Sequence, residues 1–319
     1  MFKFLPLLVF IGLYNFTSAN AQTDTLFQET PITLHSYTGN IGGTLTLPGM
    51  QQKMPVALII AGSGPTDRNG NNSRMKNESL KMLADSLAKH GIASVRYDKR
   101  GVGASKDALK SEADIRFEDY VEDAKSWIDL LRQDSRFTKV IVVGHSEGSL
   151  IGMLAAKDNA NAFVSVAGAG KPAGAILKEQ LAGQPETIRH IIYTDIDTLE
   201  TGKTLQYVSP LLYALFRPSV QPYLISWFRY NPATAIQQLG SMPVCIIQGT
   251  NDIQANEGDA ELLAKANPKA ILVIIPNMNH VFKMVTGDRN ANIATYNNPQ
   301  LPISEQLVYA LVTFIYPLH

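Results

Sequence analysis

A serine attacks a carbonyl only if something takes its proton, so the chemistry of this chain begins with what surrounds Ser146. It sits in GHSEG, residues 144–148, with a glycine two places away on either side. The stretch before it, KVIVVG (139–144), reads as a buried strand, and EGSLIGMLAAKD (147–158) reads as a helix. A strand–turn–helix of this kind uses its glycines to make a turn too tight for side chains. The serine is then strained, with its hydroxyl exposed above the sheet edge. The start of the helix behind it offers unpaired N–H groups and the positive end of the dipole.

The nucleophile needs a base, and the chain has six histidines. His35 lies in a leading hairpin, His90 ends a surface helix, His145 is inside the turn itself, His190 is in a helical stretch and His319 is the last residue. His280, in IPNMNHVFK, follows the last apolar run and falls in a strand-end loop, the ligand-binding edge of a parallel sheet. A base needs an orienting acid. IIQGTNDIQ places Asp252 just past the penultimate strand, whereas its rivals Glu257 and Asp259 fall in the helix that follows. The order Ser146, Asp252, His280 is neither the chymotrypsin nor the subtilisin order.

An acyl-transfer site also needs donors aimed at the oxyanion. One is the backbone N–H of Glu147. The other is expected from AGSGPTDRNGN (61–71), where Ser63 between two glycines is the candidate and a plain glycine-rich turn is the alternative. The Glu147 carboxylate would oppose a developing oxyanion, so its side chain is expected to turn aside, toward Arg68 or Arg100.

The elements that must hold these residues follow from periodicity. VALII (56–60), IASVRY (92–97), KVIVVG (139–144), AFVSVAG (162–168), PVCIIQG (243–249) and AILVIIP (270–276) are apolar throughout, and helical patterns at 79–91, 117–133, 147–158 and 304–316 alternate with several of them. Such runs predict an α/β fold: a mostly parallel sheet of about eight strands with helices on both faces. ITLHSYTGNIGGTLTLP (32–48) predicts an antiparallel pair at its N-terminal edge, turning around Gly39-Asn40 and Gly42-Gly43. Residues 172–238 carry no strand pattern and are too long for an ordinary connection, which predicts a helical cap inserted into the sheet. Its aromatic residues Tyr207, Tyr213, Phe216, Tyr223, Trp227 and Phe228 either pack the cap onto the body or line an apolar pocket. The expected divisions are a leader at 1–21, core at 22–171, cap at 172–238 and core again at 239–319.

These features resemble the α/β-hydrolase superfamily, and the likeness covers nearly all of the chain beyond the leader. YDKRGVGAS (97–105) is similar to the family's Y-D-x-R-G-x-G-x-S loop after its fourth strand, and YNPATAIQQLGSMPVCIIQGTNDIQ (230–254) resembles the segment leading to its acid. AGSGPTDRNGN departs from the commoner H-G-x-G and is similar to the S-G-S-G-P-x-D-R-D/N-G form of secreted and thermophilic bacterial esterases of this fold. Relatives of this kind are called serine-aminopeptidase-like or dienelactone-hydrolase-like, labels that report fold and not substrate. A dienelactone hydrolase would carry cysteine where Ser146 stands. The resemblance implies a serine hydrolase of small carboxylic esters, with no cofactor and no metal. Peptide or acyl-aminoacyl bonds are the alternative substrates, with Glu179, Glu186, Asp195 and Asp197 of the cap available to an amine. A binding protein on the same scaffold is the third reading.

Composition narrows the field. Lys+Arg and Asp+Glu both number 28, so there is no net field to draw nucleic acid or an acidic membrane. Hydrophobic content of 45% is that of an ordinary globular protein. The single cysteine, Cys245, lies in an apolar run and can make no internal disulfide. SVAGAGKP (165–172) fails as a phosphate loop, with Ser165 and Pro172 where glycine and Ser/Thr are required. DRNGNNSRMKNE (67–78) has oxygen ligands at some calcium-loop offsets, but its glycine is misplaced. Lys3, an apolar run at 4–14 and Ala19-Asn20-Ala21 read as a cleavable export signal. The mature chain is therefore expected in the periplasm or outside the cell, not inserted in a membrane.

Overall fold

The computed structural model describes residues 27–49 and 52–318. The expected leader at 1–21, and His319, lie outside the described residues. Eight strands form one sheet: β1 (Phe27–Ser36), β2 (Gly39–Pro48), β3 (Met54–Ile60), β4 (Ala93–Tyr97), β5 (Phe137–His145), β6 (Ala162–Val166), β7 (Val244–Gly249) and β8 (Ile271–Ile275). Their order is β1-β2-β4-β3-β5-β6-β7-β8. β1 and β2 run antiparallel to each other, β2 runs antiparallel to β4, and the remaining pairings are parallel. The mostly parallel sheet with an antiparallel N-terminal edge is thus found as expected.

The leading hairpin turns elsewhere than its glycines suggest. Ser36 pairs with Gly39, so Tyr37-Thr38 make the turn, and Gly42 and Gly43 lie within β2 opposite Thr33 and Ile32. Those glycines serve close approach instead. A Cβ at Gly42 would come 2.7 Å from Ala104 Cβ, and one at Gly43 would come 3.1 Å from the Arg96 carbonyl oxygen.

The inner strands are apolar on both faces because both faces are covered. Along β3, Val56, Leu58 and Ile60 face a core shared with α2 (Phe117–Gln133), α3 (Glu147–Ala156) and α9 (Glu257–Ala266). Ala57 and Ile59 face the opposite core, with Leu83 and Leu87 of α1 (Ser79–Lys89) and Leu307 and Leu311 of α11 (Glu305–Ile315). Each such valine, leucine or isoleucine contributes roughly 1.5–3 kcal/mol on burial. No helix among the described residues is long and apolar enough to cross a membrane.

Between β6 and β7 the chain runs through α4 (Ala173–Gln180), α5 (Glu186–Glu200), α6 (Tyr213–Phe216), α7 (Gln221–Trp227) and α8 (Pro232–Gln237). A short helix α10 (Arg289–Ala294) follows β8. α4 to α7 close on a separate apolar cluster that includes Ile192, Ile196, Leu199, Phe216, Leu224 and Phe228. α8 does not join it, since Ala235 and Ile236 pack into the core beneath the sheet. The aromatic residues of the insert divide accordingly. Tyr207 and Tyr213 are exposed, Phe216 and Phe228 fill the insert's own cluster, and Tyr223 and Trp227 pack against Phe117 of α2.

Candidate active site

β5 ends at His145 and α3 begins at Glu147, leaving Ser146 alone at the corner. Its φ of 55° and ψ of −121° are a conformation that costs a non-glycine residue on the order of 1–3 kcal/mol. The Ser146 N–H donates to the Val166 carbonyl at 3.0 Å, anchoring the corner to β6. The flanking glycines are forced by contact. A Cβ on Gly144 would meet the Gly148 carbonyl oxygen at 2.3 Å, and one on Gly148 would meet the Ile60 carbonyl oxygen at 2.4 Å.

His280 lies in the loop after β8 and Asp252 in the loop after β7. The two meet: His280 Nδ1 is 2.8 Å from Asp252 Oδ2. A carboxylate can only accept, so Nδ1 carries a proton, which in the neutral ring leaves the lone pair on Nε2. Asp252 is held from every side. Its Oδ1 accepts from the N–H groups of Gln254 at 2.8 Å and Ala255 at 3.0 Å, and its Oδ2 also accepts from Gln248 Nε2 at 3.2 Å. Burial pushes this carboxyl up, but His280 and the two backbone donors outweigh burial and hold it below the usual carboxylate range. Glu257 and Asp259 lie in α9, where Asp259 closes a capping box with Asn256.

The His280 loop is braced by a residue that no motif marked. Asn279 is fully buried, and its side-chain oxygen accepts from the N–H groups of Val281 at 3.2 Å and Lys283 at 2.9 Å. Its Nδ2 donates to Asn292 at 3.0 Å and to Thr295 at 2.7 Å. Its signal in the sequence is only proximity to His280.

Ser63, Ser146, Glu147 and His280 line one cavity of about 140 Å³, walled by apolar groups of Leu150, Ala169, Ile176, Leu177 and Trp227. Asp252 stands behind His280, outside that lining. The loop carrying Ser63 passes close to Ser146: a Cβ on Gly62 would come 3.1 Å from Ser146 Cβ. Glu147 is the first residue of α3, so its N–H is one of those a helix start leaves without an intrahelical partner.

The Glu147 side chain goes neither to Arg68 nor to Arg100. Its Oε1 is 3.2 Å from Lys99 Nζ, and both side chains are only 1% exposed. The two arginines are engaged elsewhere. Arg68 bonds Asp98 through its N–H at 2.8 Å and its guanidinium at 2.6 Å, and Arg100 clasps Asp123 with two bonds of 2.6 Å. The Arg68–Asp98 pair ties the Ser63 loop to the loop after β4. In the same segment Asp67 Oδ1 accepts from the N–H groups of Asn69 and Asn71, so this carboxylate shapes a turn.

Comparison with known proteins bears on the fold. A family model described as serine aminopeptidase S33 matches residues 76–190, from just before α1 into α5, which includes Ser146. Esterase EstD of Thermotoga maritima is 25% identical over 277 residues, covering 85% of this chain and 63% of that protein. Among solved structures, Alpha/beta hydrolase GrgF from Penicillium sp. sh18 shares 17% identity at a TM-score of 0.61, over 91% of this chain and 98% of that one. The chain has the α/β-hydrolase fold. It also shares the fold of Est1E from Butyrivibrio proteoclasticus, at 18% identity and a TM-score of 0.59, with 90% and 99% of the two chains covered. It spans 63% of the length of the curated relative it matches, EstD.

Proposed function

We propose that this α/β-hydrolase is a serine carboxylesterase that works through an acyl-enzyme. His280 Nε2 takes the Ser146 proton as the hydroxyl oxygen attacks the ester carbonyl carbon. Asp252 keeps the imidazole in the required tautomer and stabilises the imidazolium. The N–H groups of Ser63 and Glu147 receive the oxyanion. The imidazolium then protonates the departing alkoxide, and a water activated by His280 releases the acid. The observation that carries this reading is the convergence of Ser146 and His280 on one cavity, with His280 bonded to Asp252 at 2.8 Å.

The cavity bears on the substrate. At about 140 Å³ it is near the size of a ~150 Å³ cavity known to hold benzene, which suits a short or ring-sized acyl group. Amide hydrolysis is the second reading, favoured by the serine-aminopeptidase description of the family model. Recognition of a free amine would need a carboxylate in the cavity. Glu179, Glu186, Asp195 and Asp197 do not line it, and Glu147, which does, is paired with Lys99.

The test is hydrolysis of p-nitrophenyl acetate, butyrate and hexanoate beside aminoacyl-p-nitroanilides. Esters should be preferred, and Ser146→Ala should lose about 10⁴-fold or more in kcat. A Ser146→Ala variant keeping more than about a tenth of wild-type turnover would remove the serine from the reaction. Export is proposed on the sequence of residues 1–21 alone. N-terminal sequencing of the mature protein should begin just after Ala21.

A further inference from the structure

Lys99 lies one residue past the YD of the loop after β4, with its side chain 1% exposed. Its ammonium has two oxygen partners, the Gly62 carbonyl at 2.6 Å and Glu147 Oε1 at 3.2 Å, and it stands 4.9 Å from the centre of the Tyr120 ring. Neither partner is incidental to the chemistry. The Gly62 carbonyl shares a peptide unit with the Ser63 N–H, and Glu147 supplies the other N–H assigned to the oxyanion.

We propose that Lys99 is a positioning residue that sets the oxyanion donors, by holding the Gly62 carbonyl so that the Ser63 N–H faces the nucleophile. This rests on the esterase reading. The physics is that of a planar trans peptide, in which C=O and N–H point in opposite directions. A carbonyl drawn into the buried ammonium turns its N–H the other way, and Ser63 and Ser146 line the same cavity. The restraint is needed because the donor sits between Gly62 and Gly64, residues whose backbone rotates at little cost. Gly62 cannot gain a side chain to stiffen it, since a Cβ would press on Ser146 Cβ at 3.1 Å. A charged donor on the carbonyl also polarises the amide and strengthens its N–H. Glu147 offsets the buried charge without occupying the Gly62 carbonyl, which accounts for an acid directly after the nucleophile.

The experiment compares wild type, Lys99→Met and the double variant Lys99→Met/Glu147→Gln on p-nitrophenyl butyrate, with thermal melting to establish folding. Lys99→Met should lose about 100-fold in kcat, with KM changed less than about threefold, the pattern of a transition-state donor mis-set. Lys99→Met leaves Glu147 buried without its cation, so the double variant, which carries neither charge, protects the test against a simple folding failure. It should remain slow, because Gly62 still lacks its donor. A folded variant of either kind with kcat within about threefold of wild type would overturn the proposal and leave the esterase reading standing. Wild type that turns over no ester and takes no fluorophosphonate at Ser146 would instead remove the reading and the proposal together.

Discussion

His145 Nε2 donates to the carbonyl oxygen of His280 at 2.9 Å, so the residue before the proposed nucleophile holds the backbone of the proposed base. The two rings pack at 4.8 Å between centres, and Phe282 closes the far side of His145 at the same distance. Burial, and then the neighbouring His280, push the His145 ring down to about 3. It therefore stays neutral and keeps its donor tautomer around neutral pH.

That arrangement makes stability depend on pH with a definite sign. The unfolded chain takes a proton on this ring near 6.5, while the folded one refuses it until about 3. The contribution is complete above pH 6.5 and is lost progressively as pH falls toward 3, by at most about 1.4 kcal/mol per pH unit. His145→Phe should melt lower than wild type at pH 7, since the His280 carbonyl loses its donor at a cost of about 1–3 kcal/mol. It should also lose less melting temperature than wild type between pH 7 and pH 4. Parallel curves for the two proteins would show that the ring does not titrate as described.

Gly148→Ala should be among the most damaging single methyl additions in the chain. The new Cβ would lie 2.4 Å from the Ile60 carbonyl oxygen, in the backbone of a central strand that cannot move aside. A loss of about 3 kcal/mol or more is expected by denaturant titration. A melting temperature within about 2 °C of wild type would contradict the contact.

Asp252→Asn tests the tautomer. The asparagine oxygen can still accept from Gln254 and Ala255, so the loop should fold. Its amide then faces His280 Nδ1 with a donor, which favours the proton on Nε2 and removes the base. kcat should fall about 10⁴-fold with melting temperature little changed. Activity within about tenfold of wild type would remove Asp252 from its role.

Leu177→Ala enlarges the cavity proposed to take the acyl group, since Leu177 is a half-buried wall residue on α4. The ratio of kcat/KM for p-nitrophenyl hexanoate over acetate should rise by about tenfold, the usual worth of added apolar contact. An unchanged ratio would place the acyl group elsewhere.

What could be read in advance was what local patterning determines. The elbow was legible because two glycines, a strand and a helix converge on Ser146, and Asp252 and His280 were placed by the ends of apolar runs. What could not be read depends on which way a side chain leaves the backbone. Asp98, Lys99 and Arg100 are three successive charges after β4, and nothing in their order shows that the middle one turns inward to Glu147 while its neighbours meet Arg68 and Asp123. The brace from His145 to the His280 loop joins residues 135 positions apart, beyond the reach of any periodicity. The glycines of β2 look like turn residues but answer to Ala104 and Arg96 across the fold.

The insert bears on how such a protein could diversify. α4 to α7 gather around their own apolar cluster, yet lend Ile176, Leu177 and Trp227 to the wall facing Ser146. Of these, Ile176 and Leu177 take no part in either core that packs on the sheet, whereas Trp227 stacks on Phe117 of α2. On the esterase reading, a change of acyl group needs only new side chains at Ile176 and Leu177, while the machinery beneath is inherited unaltered.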